Sequence, residues 1–326
     1  MECTTQVERI ILMFSNGKVD IEVKNTGGNI DRHFPTELKR VKSTSRFWKR
    51  FSHNIPALLG LGIIFLVLAI TLAAPSLAPY DPKLQFDEGL TPLGEPIGPG
   101  DLFTLGTDSL GRDILSRLLY GGQLSLFIAL SVNSITLLVG TVVGMISGYF
   151  GGLVDAFLSR VVDTMLAFPG ILSALAISTI LKPGVGVVIL ILSLTGWTGI
   201  TRLVRGQVLS LREREFILAA RAVGVKNRSI LLRHIVPHLI SPLIIVFTLS
   251  IPGIILGEAV LSYLGAGVPP DVPSWGNLIQ DGSHYYRSAP WILLFPGMAI
   301  FLTVLGFTLI GEGFKDASNP YSKYSK

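Results

Sequence analysis

Six apolar runs, at about 56–74, 124–149, 164–181, 185–201, 239–259 and 290–311, leave this chain few ways to fold. Five contain no charged residue, and the sixth is interrupted only by Glu258. A bilayer core takes roughly 20 apolar residues of helix, and backbone polar groups in lipid must be satisfied within the segment, so the runs predict membrane-spanning helices. Composition agrees, with 49% apolar and 15% charged residues and a mean hydropathy of +0.57 over 326 residues. The net charge of +5 and isoelectric point near 9.3 do not point to nucleic acid, because the cations cluster beside the apolar runs and form no separate basic surface. A single cysteine, Cys3, excludes an intrachain disulfide framework. No basic stretch, apolar core and small-residue cleavage site precede the first run, so it is expected to remain in the mature protein.

Before the first run, residues 7–24 read as two strands joined by Asn16-Gly17, a strong hairpin signal. From Pro35 to His53, cations (Lys39, Arg40, Lys42, Arg46, Lys49, Arg50) mix with Phe47, Trp48 and Phe51, which predicts an interfacial helix. Between the first two runs lies a segment rich in proline, glycine and acids that ends in GTDSLGRD, where Asp108 or Ser109 is expected to cap the next helix. Gly140, Gly144 and Gly148 recur every fourth residue in the second run, and Gly253 with Gly257 in the fifth, a spacing that lets helix backbones approach closely. Pro169-Gly170 predicts a kink in the third run, and Pro242 and Pro252 predict breaks in the hydrogen-bond ladder of the fifth. Trp275, Tyr285 and Tyr286 suit a membrane interface.

Six spans put both termini on one side. That side receives the basic pre-span segment, Arg160, the cations of 212–238 and Lys315, Lys323 and Lys326, whereas the other has mainly Lys83, Arg112, Arg117, Lys182 and Arg287. The bias of cations toward the cytoplasm therefore places both termini and 212–238 inside, in a multi-pass protein of the cytoplasmic membrane. No phosphate-cradling G-x-x-x-x-G-K-[ST] and no G-x-S-x-G elbow occurs, so nucleotide energy would have to come from a partner and no enzymatic site is legible. His234 and His238 stand four apart, but Ile235 replaces the glutamate of a zinc motif, Pro237 disturbs the turn and no third ligand is evident. Titratable groups within the runs are scarce, Glu258 and Glu312 lying only near the ends, which weighs against a proton-driven secondary carrier and for an external motor.

The segment Arg212–His238 resembles the cytoplasmic loop of ABC importer permeases, with the form EAA, three residues, Gly, nine residues, I-x-L-P. Ala219, Ala220, Gly224 and Pro237 take the alanine, glycine and proline places; Leu218, His234 and Val236 depart from the pattern, and Glu215 fits the variant of the peptide importers. LGTDSLGRDILSRLLYG, GYFGGLVDAFLSR, LAFPGILSALA, LSYLGAGVPPDVPSWG and the 290–320 segment are likewise similar to the C-type permease subunit of dipeptide and oligopeptide ABC importers. The resemblance implies an all-α, six-span permease that imports dipeptides or oligopeptides, with nickel or another small solute on the same scaffold as the alternative. It implies a B-type permease partner, two cytoplasmic ATPases that bind the ATP and magnesium, and an extracytoplasmic binding protein, with no cofactor in this chain. It also makes Glu215, Ala219, Ala220, Arg221, Gly224 and Pro237 the ATPase-coupling residues, Arg221 pairing with acids of the motor, and leaves the translocation path unassigned. The expected division is a 1–34 extension, a 35–55 interfacial helix, a first span at 56–75, an extracytoplasmic segment at 76–120, a permease core at 121–312 with its coupling loop at 212–238, and a 313–326 tail.

Overall fold

The computed structural model describes residues 9–15, 18–24 and 43–318, with side chains from 47 onward. The chain divides into two units, 1–49 and 50–326. In the first, β1 (Arg9–Ser15) and β2 (Lys18–Lys24) pair antiparallel, Arg9 opposite Lys24 and Ser15 opposite Lys18. Asn16-Gly17 lies outside the described residues, as do 25–42 of the basic segment. A helix α1 (Ser43–Phe51) follows within the 35–55 segment, whose residues 35–42 lie outside the described ones.

The second unit is helical. Asn54 starts α2 (Ile55–Leu72) by accepting the amide of Ala57, a short α3 (Ala74–Leu77) follows, and α4 (Ile114–Phe150) runs for 37 residues. At 1.5 Å per residue α4 is about 55 Å long, well beyond a bilayer core. Next come α5 (Gly152–Leu166), α6 (Gly170–Ile180), α7 (Val185–Arg212), α8 (Glu215–Ala222) and α9 (Asn227–Ser229), then a widened π-type stretch over Ile230–Ile235, α10 (Val236–Tyr263), α11 (Trp275–His284) and α12 (Trp291–Ser318). Five helical stretches among the described residues are long and apolar enough to cross a membrane: α2, α4, α7, Asn227–Tyr263 and α12. The third run is bent where a kink is expected, and it makes a sixth span if the bent pair crosses as one. Its arms α5 and α6 meet at 83°, because Pro169 offers no N–H and its ring disfavours helix at Phe168. Pro242 and Pro252, by contrast, each leave out one ladder hydrogen bond for want of an N–H, yet α10 continues through both.

The glycines show which helices touch. A Cβ on Gly140 would lie 2.8 Å from the Trp197 carbonyl oxygen, one on Gly144 2.7 Å from that of Thr201, and one on Gly148 2.9 Å from that of Arg205. Backbone meets backbone, and α4 and α7 stay in register because both advance four residues per contact. Gly253 has no neighbour within 4 Å and Gly257 meets only Leu192 at an ordinary 3.4 Å, so the second pair is not a packing seam within this chain. Close packing is found instead between α2 and α12, where Gly60 faces the backbone of Gly306.

At the end of the bundle opposite α8, the segment before α4 folds on buried polar groups. Gly111, at φ +72°, turns the chain so that Asp108 accepts the amides of Leu110 (2.9 Å) and Arg112 (3.0 Å), the Arg112 Nε (2.6 Å) and an ion pair from Arg117 at 3.1 Å. Asp108 is thus occupied, and α4 is capped by Asp113, which accepts the amide of Ser116 at 2.7 Å. Ser109 binds Asp281 at 2.5 Å and does not cap either. Trp275 is no interface residue: it is 2% exposed, packed among Leu126, Ile251 and Ile255, and its Nε1 donates to the Leu118 carbonyl at 3.0 Å.

Glu258, 1% exposed, explains why α11 dips into the bundle. Its carboxylate accepts from Ser262 (2.9 Å), Ser274 (3.0 Å) and Ser125 (3.3 Å), and Ser274 and Ser125 in turn accept the amides of Asn277 and Trp275. The carboxyl group sits at the N-terminal end of α11 and joins α4, α10 and α11.

Two outcomes follow for the detergent-solubilised protein. Gly144→Val wedges a side chain between two backbones and lowers the unfolding midpoint, by about 1–3 kcal/mol of lost stability, whereas Gly253→Val leaves it unchanged. Glu258→Ala leaves three buried hydroxyls without their acceptor and costs about 2–3 kcal/mol; it also shifts Trp275 fluorescence, and Glu258→Gln does so less.

Candidate functional site

The sequence between α7 and α10 mixes cations with apolar residues, and only some of the apolar ones are buried. Ile217, Ile230, Ile235 and Leu239 are fully covered and pack with Tyr149, Ile200, Val204 and Val208. This cluster fixes α8 against the ends of α4 and α7. Polar contacts add to it: Tyr149 donates its hydroxyl to Asn227 Oδ1 at 2.8 Å, Arg212 donates to the Gly148 carbonyl at 3.1 Å, and the Arg221 guanidinium lies 4.7 Å from the Tyr149 ring centroid. Arg221 thus has a partner inside its own chain.

The turn after α8 is set by Gly224. With φ at +80° it ends the helix in a two-bond cap, its own amide bonding the Arg221 carbonyl (2.9 Å) and the Val225 amide that of Ala220 (3.0 Å). The chain then re-enters helix at Asn227 and stays helical to Tyr263, so the end of the loop and the fifth span are one rod. Pro237 is accommodated without a break. It cannot donate to the carbonyl one turn back, and the widened Ile230–Ile235 stretch before it removes the crowding.

What remains outward is a small surface. Glu215, Ala219 and Gly224 are exposed, Ala220 is half-buried and Pro237 is exposed. Leu218 and Val223 stand out, Val223 at 85%, between Arg214, Arg221 and Arg228. An exposed apolar helix tip in a stretch that also exposes several cations, held on a rigid base, is suited to insertion into a groove on a partner. His234 and His238 form no metal pair: His238 Nδ1 lies 2.8 Å from the His234 carbonyl oxygen and its ring stacks on Phe216. Among the described residues no three His, Cys, Asp or Glu side chains gather to hold a metal.

Sequence reasoning singled out the outward residues Glu215, Ala219, Ala220, Arg221, Gly224 and Pro237, and missed the base. Tyr149 and Asn227 lie in different segments, and only Ile217, Ile230 and Ile235, spaced as one buried face across the turn, carried a signal. It also missed two ion pairs nearby, Arg205 with Asp155 (2.6 Å) and Arg202 with Asp163 (2.6 Å).

Residues 140–322 match the family model described as binding-protein-dependent transport system inner membrane component, and 44–92 match that of the N-terminal transmembrane domain of oligopeptide transport permease C. A dipeptide transport system permease protein of Alkalihalophilus pseudofirmus is 40% identical over 276 residues, 85% of this chain and 89% of that one. An oligopeptide transport system permease protein of Bacillus subtilis is 37% identical over 86% of this chain and 91% of its own length, and a glutathione transport system permease protein of Pectobacterium atrosepticum is 38% identical over 85% and 91%. Among solved structures, the MetNI methionine ABC transporter in an inward-facing conformation matches with a TM-score of 0.51 at 16% identity, over 62% of this chain and 97% of that one, a likeness of fold.

Gly224→Ala forces a side chain into a left-handed backbone at a cost of roughly 1–2 kcal/mol. Amide exchange through 215–225 accelerates, while that of α4 stays unchanged.

Proposed function

The chain belongs to the family of binding-protein-dependent transport system inner-membrane components, multi-pass membrane permeases, and on that footing we propose that it is the C-type permease subunit of an ATP-driven importer of dipeptides or oligopeptides. The observation that carries the solute class is the identity of 37–40% to permeases of dipeptide and oligopeptide systems over most of both chains. Glutathione, the solute of another relative, is also a short peptide with free charged ends. The bias of cations supports a cytoplasmic position for 212–238 and for both termini.

In this reading a homologous B-type subunit completes the path, two cytoplasmic ATPases supply the energy and an extracytoplasmic binding protein delivers the peptide. The exposed tip of α8, with Glu215, Ala219, Ala220 and Gly224, enters a groove on one ATPase. Closure of the ATPase pair displaces α8. Since α8 is clamped by Ile217 to α7 and by the Gly224 turn to the helix that runs on to Tyr263, the displacement reaches the spans without being absorbed by a loose loop. Glu258 and Asp108, buried and fully engaged, hold the opposite end together while the spans tilt.

The test is uptake into proteoliposomes holding the chain with its permease and ATPase partners, the binding protein supplied outside. Dipeptide accumulates only with ATP inside, and Gly224→Pro, which cannot adopt a positive φ, abolishes uptake and binding-protein-stimulated ATP hydrolysis. Uptake that follows an ion gradient without ATP, or a Gly224→Pro variant with unchanged transport, would overturn it.

A further inference from the structure

Apart from Glu258 in α10 and Arg117 at the start of α4, the charged groups along the spans gather mainly between α5 and α7. Arg202 and Arg205 lie one turn apart on α7; Asp155 and Asp163 lie two turns apart on α5. Arg205 forms a two-pronged bond to Asp155, Nε to Oδ1 at 2.6 Å and Nη2 to Oδ2 at 2.7 Å, and Asp155 also accepts from Ser147 and Ser159. That pair is fully engaged and braces α5 on α7. The second pair differs. Arg202 gives one N–H to Asp163 Oδ1 at 2.6 Å, the two side chains are 57% and 56% exposed, and Asp163 Oδ2 has no partner among the described residues.

Counted from Val185 at 1.5 Å per residue, Arg202 lies about 25 Å along α7, just past the apolar run 185–201 and so at the inner edge of the hydrocarbon layer. A half-exposed ion pair at that depth is costly against lipid tails and is favoured where it lines a polar space. Such a space is present: a cavity of about 450 Å³ lies between α5 and α7, lined by Ser159, Asp163, Thr201, Arg202 and Arg205, with Ser147 at its base. Its size falls within the range that holds small ligands. Its lining carries two arginines and one aspartate, and Arg205 is already neutralised by Asp155, so the exchangeable charges are those of Arg202 and Asp163. The free edge of the Arg202 guanidinium suits a carboxylate, and the open oxygen of Asp163 an ammonium.

We propose that the Arg202–Asp163 pair and the cavity behind it form a passage subsite that takes the charged ends of an unblocked peptide, the pair opening to exchange each partner for a peptide terminus. The assignment rests on the peptide-permease reading above. A weak, exchangeable pair suits transport, since a step on a path must bind well enough to admit the solute and loosely enough to release it. A phosphatidylethanolamine headgroup carries the same two charges, so lipid is the competing source.

Cys3 is the only cysteine of the chain, so Cys3→Ser provides a background for single cysteines in this subunit of the assembled transporter. In proteoliposomes, with the partner subunits made cysteine-free, Arg202→Cys and Asp163→Cys are exposed to a charged, membrane-impermeant thiol reagent. Labelling is expected, slowed by a free dipeptide during ATP turnover, not slowed by the same dipeptide acetylated and amidated, and independent of phosphatidylethanolamine content. In parallel, Arg202→Gln raises the KM for free dipeptide roughly tenfold, with ATPase assembly unchanged and partial recovery in Arg202→Lys. No labelling, labelling indifferent to peptide, or labelling that follows phosphatidylethanolamine overturns the subsite while leaving the peptide-importer reading intact. Failure of the unsubstituted complex to take up any dipeptide overturns both.

Discussion

Backbone contact between α4 and α7 is the constraint on which the rest depends. Because Gly140, Gly144 and Gly148 present no side chain, the two helices approach until the carbonyls of Trp197, Thr201 and Arg205 lie against them. Contact at three successive turns fixes rotation as well as distance. Rotation of α7 decides that Val204 and Val208 point at Ile217, and that Arg202 and Arg205 point at α5. Without hydrophobic exclusion to drive helix association in lipid, such close packing has to supply the order that a water-soluble core obtains from burial.

The second determinant is continuity. A glycine cap and a proline would ordinarily mark two interruptions between α8 and α10. The Gly224 cap does end α8, but it does so with two specific bonds that fix the angle at which the chain leaves. Pro237 is absorbed by the wider turn that precedes it. A stiff elbow and an unbroken rod result, made from residues that elsewhere signal flexibility.

Architecture was largely legible and detailed contact was not. Uncharged runs and their lengths identify the spanning helices, since lipid leaves so few alternatives. In 212–238 the motif spacing pointed to residues that lie mostly on the surface, with Ala220 half-buried. The same glycine spacing, however, occurs in α4 and α10 and is a seam only in α4: periodicity shows that a face is smooth without showing what lies against it. Asp108 and Asp113 are both plausible caps from sequence, and only the turn at Gly111 decides between them. Glu258 looked like a charge near a span end because its three serines come from segments 125, 262 and 274. Pro169 gave a kink in the sequence and a sharp corner in the structure, the size of the bend being set by what α6 packs on.

The length of α4 has a mechanical side. As one uninterrupted helix it begins at the Asp113 cap, among the buried polar groups of one end, and finishes at Tyr149, against Arg221 and Asn227 at the other. A rod of about 55 Å pivoting at its middle by 10° moves each tip by about 5 Å in opposite senses. Such a beam behaves as a seesaw: loading either end is felt at once at the far one, through a single element, with no relay of side chains between.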